Sequence, residues 1–392
     1  MNGPARSMSL VADDPGHLVR ALQCESDALV TRERFGEYVG KTLRAAIDER
    51  PQMRLERAAI VDIDRKGQGF VLMDSRGRRY RAHTVALALG NANPADDLLP
   101  RELRESELYF GDPWRTRTDD LPAGDMLCIG SGLTAMDRVA AFGSTMRKGT
   151  IYTLARHGYL PARELPEVRA CGYRGLGIDE RSPLSLVRSV RAAMRQHISA
   201  GGDWREVAEA LRQPSQRIWL GWSTAQRRQF LEKVSSLWAS LRYRVPPATE
   251  DAVAALRNSG RYIPLQGEIV AAVDKEEGIG IEYSIHGERC RLSVASVVNC
   301  TGPNGDLGSN PNPLIRALLR RGLIRRDPLA LGIDATPYGE AIDADGLIDE
   351  RLLALGPLLR GVLYESTAVP EIVEQAREIA RRVAREREEW VA

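Results

Sequence analysis

The sequence predicts an α/β fold with a parallel sheet, two β-meanders and an inserted helical region, and three observations support this. A glycine-rich turn, residues 130–135, lies between a short apolar run and a helical pattern. An alternating apolar and polar pattern that ends in a hydrophobic strand occurs twice, about two hundred residues apart. Between these copies the apolar residues recur at helical spacing. A strand that passes through a turn into a helix indicates a parallel sheet.

Length and composition limit the classes of protein that this chain can belong to. The 392 residues, 43% of them hydrophobic, suffice for two or three domains with buried cores. A net charge of +2 gives no basic surface for nucleic acid. Five well-separated cysteines without a C-x-x-C pair indicate thiols in a reducing compartment rather than a zinc or redox site. Without a long apolar run or a signal-peptide pattern, we expect a cytoplasmic protein with no membrane partner.

The first part of the chain predicts two helices and then a meander. Asp13 or Asp14 is a candidate cap for a helix that ends at Leu22, and a second helix is expected over residues 32–47. Strands are expected over residues 58–61, 69–73 and 84–89, and over 268–273, 280–283 and 295–298 in the second copy. Two meanders can resemble each other by chance. Because both end in a hydrophobic strand, a glycine and a nearby proline, a duplicated nucleotide-binding domain is favoured.

Helical spacing between the meanders predicts helices over residues 184–198, 204–211 and 224–241. This region carries six of the chain's aromatic residues. They are Trp204, Trp219, Trp222, Phe230, Trp238 and Tyr243. They could line a substrate cleft, although a stripe of this kind is more often ordinary helix core.

The glycine turn has the context of a dinucleotide-binding loop. Its residues follow the apolar run at 126–129 and precede a helix over 135–142. The candidate binding residues are Gly130, Ser131, Gly132, Leu133 and Thr134. Gly130 permits a tight turn, Gly132 lets the backbone approach a pyrophosphate, and the helix start offers unpaired N–H groups. A glycine turn without a ligand is the alternative.

The residue after the next strand predicts the choice of cofactor. That strand, residues 150–154, is followed by Ala155, Arg156 and His157, where an NAD enzyme usually presents a carboxylate to the ribose. A guanidinium can bind a 2′-phosphate through two hydrogen bonds. Arg156 therefore favours NADPH over NADH.

Several blocks of sequence together resemble one family. They are residues 2–10, 112–114, 130–137, 155–161, 242–247, 299–303 and 364–371. With them the chain resembles, over nearly its whole length, the FAD/NAD(P)-binding proteins related to flavin-dependent urate hydroxylase and to N-hydroxylating monooxygenases. The resemblance implies a fold with two Rossmann-like dinucleotide-binding domains, and both NADPH and FAD as cofactors.

The resemblance also implies a domain organisation. Residues 1–115 and 303–392 would form the FAD-binding domain, and residues 116–302 the NADPH-binding domain, with the helical insertion at about 160–260. The family places its FAD glycine loop upstream of the block at residues 2–10. Residues 1–57 show no strand followed by such a loop. We therefore expect an incomplete first domain, short by about one βαβ unit of roughly 30 residues, and consequently weakened FAD binding.

Further site residues follow from the resemblance. Gly90 and Asn91 close the first meander, and Gly356 ends a late strand whose glycine approaches FAD in the family. Pro370 and Glu371 begin a helix, predicted to extend to residue 387, that would point N–H groups at the flavin. An ordinary helix start explains Pro370 equally well. Glu371 is the next residue of the same helix start.

Arg242 and Arg244 are candidate ligands of an anionic substrate, or members of ion pairs at a surface or between domains. The resemblance implies an NADPH-dependent flavoprotein oxidoreductase that hydroxylates a small molecule. Two alternatives remain: a flavin reductase that inserts no oxygen, and a truncated homologue that binds nucleotide without catalysis. Catalytic residues, substrate and oligomeric state do not follow from the sequence, and no metal site is expected.

Overall fold

The computed structural model describes residues 3–145, 148–165 and 168–391, with side chains up to residue 385. Asn2 of the first family block lies outside the described residues. The strands are β1 (Ile60–Lys66), β2 (Gly69–Asp74), β3 (Arg79–Ala82), β4 (Val85–Leu87), β5 (Tyr109–Phe110), β6 (Met126–Ile129), β7 (Ile151–Ala155), β8 (Tyr262–Gln266), β9 (Glu268–Lys275), β10 (Gly278–Ile285), β11 (Glu288–Val294), β12 (Ser296–Asn299), β13 (Glu340–Ile342) and β14 (Ile348–Ala354).

The α-helices lie mostly between these strands. They are α1 (His17–Leu22), α2 (Arg32–Asp48), α3 (Arg101–Arg104), α4 (Leu133–Gly143), α5 (Pro183–Ser199), α6 (Trp204–Ala210), α7 (Arg212–Gly221), α8 (Thr224–Lys233), α9 (Ser235–Arg242), α10 (Pro247–Asn258), α11 (Pro313–Arg320) and α12 (Val369–Val391). In the described part of the chain, none of them is both long and apolar enough to cross a bilayer.

The largest sheet is parallel and has the strand order β5-β12-β6-β7-β8. Its central strands β6 and β12 are buried along their whole length. Successive residues of β6 point to opposite faces of the sheet, and both faces are covered. Met126 and Cys128 pack in one core cluster with residues of α4 and α10, whereas Leu127 and Ile129 pack against the meander β9–β11. A parallel strand covered on both faces must be apolar throughout. The apolar run before the glycine turn is therefore the centre of this sheet.

Both predicted meanders are present as three-stranded antiparallel sheets, β1-β2-β3 and β9-β10-β11. Each is followed by a strand with a parallel partner. Strand β4 pairs with β14, and β12 pairs with β6. The duplicated architecture is thus confirmed, and the fold is the predicted α/β fold with two dinucleotide-binding units.

Two expected helix boundaries are wrong. Helix α1 starts after Gly16, because the chain makes a turn over residues 14–17 in which the His17 N–H donates to the Asp14 carbonyl at 3.1 Å, so neither Asp13 nor Asp14 is the cap residue. The Asp14 carboxylate pairs with Arg20 instead. The helix expected over residues 224–241 is two helices, α8 and α9, separated at Val234, whose backbone leaves helical geometry.

Candidate functional site

The glycine turn begins at Gly130, where the backbone is left-handed with φ +100°. A Cβ atom at this position would lie 2.7 Å from the carbonyl oxygen of Cys300. The Gly130 N–H donates to the Leu154 carbonyl oxygen at 2.8 Å, so the turn is joined to the strand ends on both sides. Only glycine satisfies both the φ angle and this close approach.

Gly132 occupies a different environment, at the start of α4. Its φ of −76° suits any residue, and no atom lies within 4 Å of the position that a Cβ would take. No side chain caps the N–H groups of the first turn of α4, which contains Leu133 and Thr134. A helix start of this kind, beside an open glycine, is suited to bind a phosphate. Ser131 borders it and donates from its hydroxyl to the Tyr159 carbonyl at 2.5 Å.

The position of this turn in the sheet agrees with nucleotide binding. The turn follows the carboxyl end of β6, with β12 on one side and β7 on the other. Ligands of open α/β sheets bind beyond the carboxyl ends of the strands, where successive connections go to opposite sides. The structure thus places the predicted loop at this edge.

Arg156 directly follows β7 and lies at the same edge. Its Nε is 2.5 Å from an oxygen of Glu268, the first residue of β9, and both side chains are largely exposed. An exposed pair of this kind contributes little to stability. The guanidinium thus lies at the edge where the sequence predicts binding of a 2′-phosphate, and the Glu268 carboxylate contacts it there.

Asn299 organises the exit of β12, on the other side of the turn. Its buried amide donates to the Ala95 carbonyl at 3.1 Å and to the Tyr109 hydroxyl at 2.9 Å, and its oxygen accepts from the Thr301 N–H at 3.1 Å. Burial raises the pKa of Tyr109 to about 12, against the opposing effect of the Asn299 hydrogen bond. Sequence reasoning used this block only for the resemblance, whereas the structure shows it fixing the backbone against which Gly130 packs.

Cys128 and Cys300 lie beneath the turn and are both buried. Contact with the Cys300 thiol and burial both raise the pKa of Cys128 well above its usual value. A buried, protonated thiol is a poor nucleophile. These two cysteines are therefore unsuited to dithiol exchange with a substrate.

A second region of the site surrounds Gly90, at the end of the first meander. Gly90 has φ +68° and open space where a Cβ would lie. With Asn91 it borders a cavity of about 560 Å³, which we call the Gly90 cavity. The amides of Asn93, Asn304 and Asn310 also line it. A mostly apolar concave site with a few amides suits a planar heterocycle, so the residues present fit the ring end of a flavin.

The other flavin candidates lie apart from Gly90. The Gly356 N–H donates to the Gln375 side chain at 2.7 Å, so this glycine contacts α12 rather than the Gly90 cavity. Pro370, in the first turn of α12, borders a different cavity, of about 420 Å³. Glu371 forms an ion pair with Arg212 at 3.2 Å, and its second oxygen is buried with no hydrogen-bond donor in the described part of the chain. Thr367 lines both cavities and so connects them.

Arg242, at the end of α9, lines the same cavity of about 420 Å³ as Pro370. We call this space the Arg242 cavity. An Nη of Arg242 is 3.6 Å from Glu365, and both side chains are nearly buried. The Arg242 Nε is buried and has no acceptor within hydrogen-bond distance among the residues that the structure describes. A buried donor without an acceptor is costly unless a ligand or water satisfies it. The Nε itself has almost no accessible surface, so only the remaining exposed part of the Arg242 side chain borders the cavity.

Arg244 also borders the Arg242 cavity, but its contacts differ from those of Arg242. Its side chain is only 4% exposed and lies 3.1 Å from Glu164 and 3.3 Å from Glu209. Glu209 in turn pairs with Arg212 at 3.5 Å. These contacts agree with the second of the two roles considered from the sequence, in which Arg244 is a member of ion pairs and not a ligand of an anionic substrate. The sequence contained no spacing signal for Glu164, which comes from a separate segment, whereas Glu209 and Arg212 are three residues apart, a spacing at which opposite charges on helices pair.

The fold and the position of the glycine turn resemble those of flavoproteins that bind two dinucleotides. The sequence comparison agrees: residues 1–92 match a family model described as FAD-NAD(P)-binding, which confirms the resemblance to this group. No relative was found among the curated proteins.

Solved structures with similar folds have different activities. L-lysine 6-monooxygenase from Pseudomonas syringae is 16% identical with a TM-score of 0.60, covering 95% of this chain and 80% of that one. Ornithine hydroxylase from Pseudomonas aeruginosa is 12% identical with a TM-score of 0.52, and the match covers 87% of this chain and 74% of that one. Bacillithiol disulfide reductase from Staphylococcus aureus is 9% identical with a TM-score of 0.52, and the match covers 92% of this chain and 80% of that one. At these identities the likeness is one of fold.

Proposed function

We propose that this chain is an NADPH-dependent flavoprotein oxidoreductase, and specifically a monooxygenase that hydroxylates a small molecule. The observation that carries the proposal is the Gly130 turn, which lies at the carboxyl edge of a parallel sheet with Arg156 beside it. The match of residues 1–92 to an FAD-NAD(P)-binding model supports a flavin as the second cofactor.

In this proposal the Gly130 turn holds the pyrophosphate of NADPH. Gly132 gives the backbone access, and the N–H groups at the start of α4 donate to phosphate oxygens. Arg156 binds the 2′-phosphate, exchanging its exposed contact with Glu268 for a doubly charged partner. These residues bind and orient the reductant.

Gly90 and Asn91 would hold the ring end of FAD in the Gly90 cavity. FAD, when bound, accepts a hydride from NADPH and in its reduced form activates oxygen. The N-terminus of α12, with Pro370, faces the neighbouring Arg242 cavity, where a substrate would lie. Arg242 would bind a substrate acceptor. The buried Arg244 would hold Glu164 and Glu209 in place.

A plain NADPH-dependent reductase would use the same two nucleotide sites, so products distinguish the two activities. The test uses the purified full chain, supplied with FAD, NADPH and a panel of small amines, amino acids and aromatic acids as candidate substrates, with absorbance at 340 nm and dissolved oxygen recorded together. For a monooxygenase we expect a flavin absorption band and NADPH and oxygen consumed in equal amounts, with incorporation of ¹⁸O₂ into product. Acceptor reduction without incorporation would identify the reductase, and a chain that neither binds FAD nor oxidises NADPH would contradict both.

The cofactor choice can be tested separately at Arg156. Arg156→Ala removes the guanidinium, and we expect the KM for NADPH to rise about tenfold or more while that for NADH changes less than twofold. Glu268→Gln is the matched variant, because it frees Arg156 and should lower the KM for NADPH. Equal losses with both nucleotides in Arg156→Ala would contradict the assignment.

A further inference from the structure

The helical region contains an apolar cavity of about 190 Å³, which we call the tryptophan cavity. Its most buried lining residues are the rings of Trp219, Trp222, Phe230 and Tyr364, which belong to one core cluster. Trp219 stacks on Tyr364 with ring centroids 4.8 Å apart, and Phe230 meets Tyr364 edge-on at 5.4 Å. Half-buried residues of α5 and α9 complete the lining. The packed rings thus form a fixed floor to a space that the side chains of these two helices border but do not fill.

The polar atoms of this floor are hydrogen-bonded within the protein. The Trp219 Nε1 donates to the Gly361 carbonyl at 2.9 Å, and the Trp222 Nε1 donates to the Glu180 carbonyl at 2.8 Å. The Ser215 hydroxyl, also in the lining, donates to a carbonyl one turn earlier on α7 at 2.6 Å. The walls consequently present ring faces and aliphatic side chains, which suit the apolar part of a ligand. An apolar cavity of about 150 Å³ binds benzene, so this one has room for a ring or a short hydrocarbon chain.

The tryptophan cavity is separate from the Arg242 cavity. The two share no lining residue. The Glu365 carboxylate lies between them, with one oxygen 3.4 Å from the Trp238 Nε1 and the other 3.6 Å from an Nη of Arg242. The Gly90 cavity shares no lining residue with the tryptophan cavity either. A ligand in the tryptophan cavity would therefore occupy a site of its own, apart from the residues assigned to the cofactors and the substrate.

Helix α5 gives the tryptophan cavity a positive rim. Its 17 residues include three arginines and a histidine, but no aspartate or glutamate. Arg191 lines the cavity, and Arg188 and Arg195 lie one turn away on either side. All three arginines are exposed, and within the described part of the chain none of them pairs with a carboxylate. The stem of Arg191 can therefore lie along the apolar wall while its guanidinium stays in water at the rim.

The carboxylates of α6, which packs against α5, do not offset this charge. Glu206 pairs with His197 of α5, and Glu209 pairs with Arg244 at 3.3 Å and with Arg212 at 3.5 Å. Helix α8, which also packs against α5, carries three basic residues and one acidic residue. The charge next to the cavity is thus positive, and it complements an anionic group.

We propose that the tryptophan cavity binds a small amphipathic carboxylate, with the hydrocarbon part against the aromatic floor and the carboxylate beside Arg191. This goes beyond the proposed function, because the site lies apart from the cofactor and substrate residues. Burial of the hydrocarbon supplies most of the binding. The exposed guanidinium of Arg191 adds selectivity for negative charge, since an ion pair in contact with water contributes little affinity.

Titration of the full chain with hexanoate, hexan-1-ol and hexylammonium tests the proposal, because these probes share a chain and differ in charge. Three of the six tryptophans line the cavity, so tryptophan fluorescence reports binding. We expect hexanoate to bind about fivefold more tightly than hexan-1-ol, and hexylammonium to bind most weakly. Arg191→Gln should weaken hexanoate about fivefold and leave hexan-1-ol within about twofold. The matched Arg188→Gln, on the same helix but outside the lining, should change both less than about twofold.

Filling the cavity tests the apolar part of the site. Val190→Phe places a ring in the tryptophan cavity and should weaken all three probes about tenfold. The matched Ala192→Phe, at an exposed position of α5 outside the lining, should weaken none of them. Val187→Phe, which narrows the same cavity from one turn earlier, replaces Val190→Phe if thermal denaturation shows that the latter does not fold.

The proposal is overturned if hexanoate leaves the emission of the wild-type chain unchanged, or if it binds no more tightly than hexylammonium. An unchanged hexanoate affinity in either Arg191→Gln or the folded cavity-filling variant would also overturn it. Size-exclusion chromatography tests the other occupant: self-association that the filled cavity abolishes, with no probe bound, would assign the cavity to contact between two copies of the chain. The proposed function fails independently, in the NADPH and oxygen assay, because probe binding needs neither cofactor.

Discussion

Gly132→Val is expected to raise the Kd for NADPH about a hundredfold while leaving the folded chain intact. Its φ of −76° is one that valine adopts, and no atom within 4 Å of the new Cβ would have to move. The open space beside Gly132 is the space that a pyrophosphate needs to reach the N–H groups of α4. Isothermal titration with NADPH measures the affinity, and thermal denaturation should give only a small fall in Tm, because Gly132 is the N-cap of α4 and valine is a poorer cap than glycine.

Gly130→Ala is the matched comparison, because its effect should be structural. The added Cβ would lie 2.7 Å from the Cys300 carbonyl oxygen, at φ +100°, so the Tm should fall whether or not NADPH is present. The two glycines are two residues apart, yet one is required by the fold and the other by the ligand. Normal NADPH affinity in Gly132→Val would remove the nucleotide assignment of this loop.

The sequence predicted most fully the elements whose signals are local. The apolar run before Gly130, the glycine spacing and the helical pattern after it lie within about twenty residues, and the structure arranges them as expected. The meanders were found because β-strands with one buried face alternate in polarity. Strands β3 and β11 were not predicted individually, although both alternate: Tyr80 and Ala82 follow arginines in β3, and Cys290, Leu292 and Val294 alternate with polar residues in β11.

The site beyond the glycine turn depends on contacts between distant segments. Arg242 and Glu365 are paired across more than a hundred residues, and Glu371 meets Arg212 from a different helix. No spacing rule in a single sequence brings such residues together. The aromatic residues illustrate the same limit, since Trp219 and Trp238 line a cavity completed by Tyr364 from the far end of the chain.

Arg244→Met is expected to lower the free energy of unfolding by about 3 kcal/mol. Arg244 is buried, and its guanidinium is the shared partner of Glu164 at 3.1 Å and Glu209 at 3.3 Å. Removing it leaves two carboxylates close together in a partly buried place, where each also loses a charge-assisted hydrogen bond. Urea denaturation of the full chain, followed by circular dichroism, measures the change.

Arg101→Ala is the control for Arg244→Met, because Arg101 pairs with Glu105 in full exposure to solvent and such pairs contribute about 0–1 kcal/mol. A triple variant, Arg244→Met with Glu164→Gln and Glu209→Gln, should recover part of the lost stability, since it removes the unpaired charges. If Arg244→Met were as stable as Arg101→Ala while substrate turnover disappeared, Arg244 would be a ligand-binding residue and not the centre of an ion-pair network. The urea midpoint and the rate of turnover, measured on the same preparation, therefore separate the two roles that the sequence left open for this arginine.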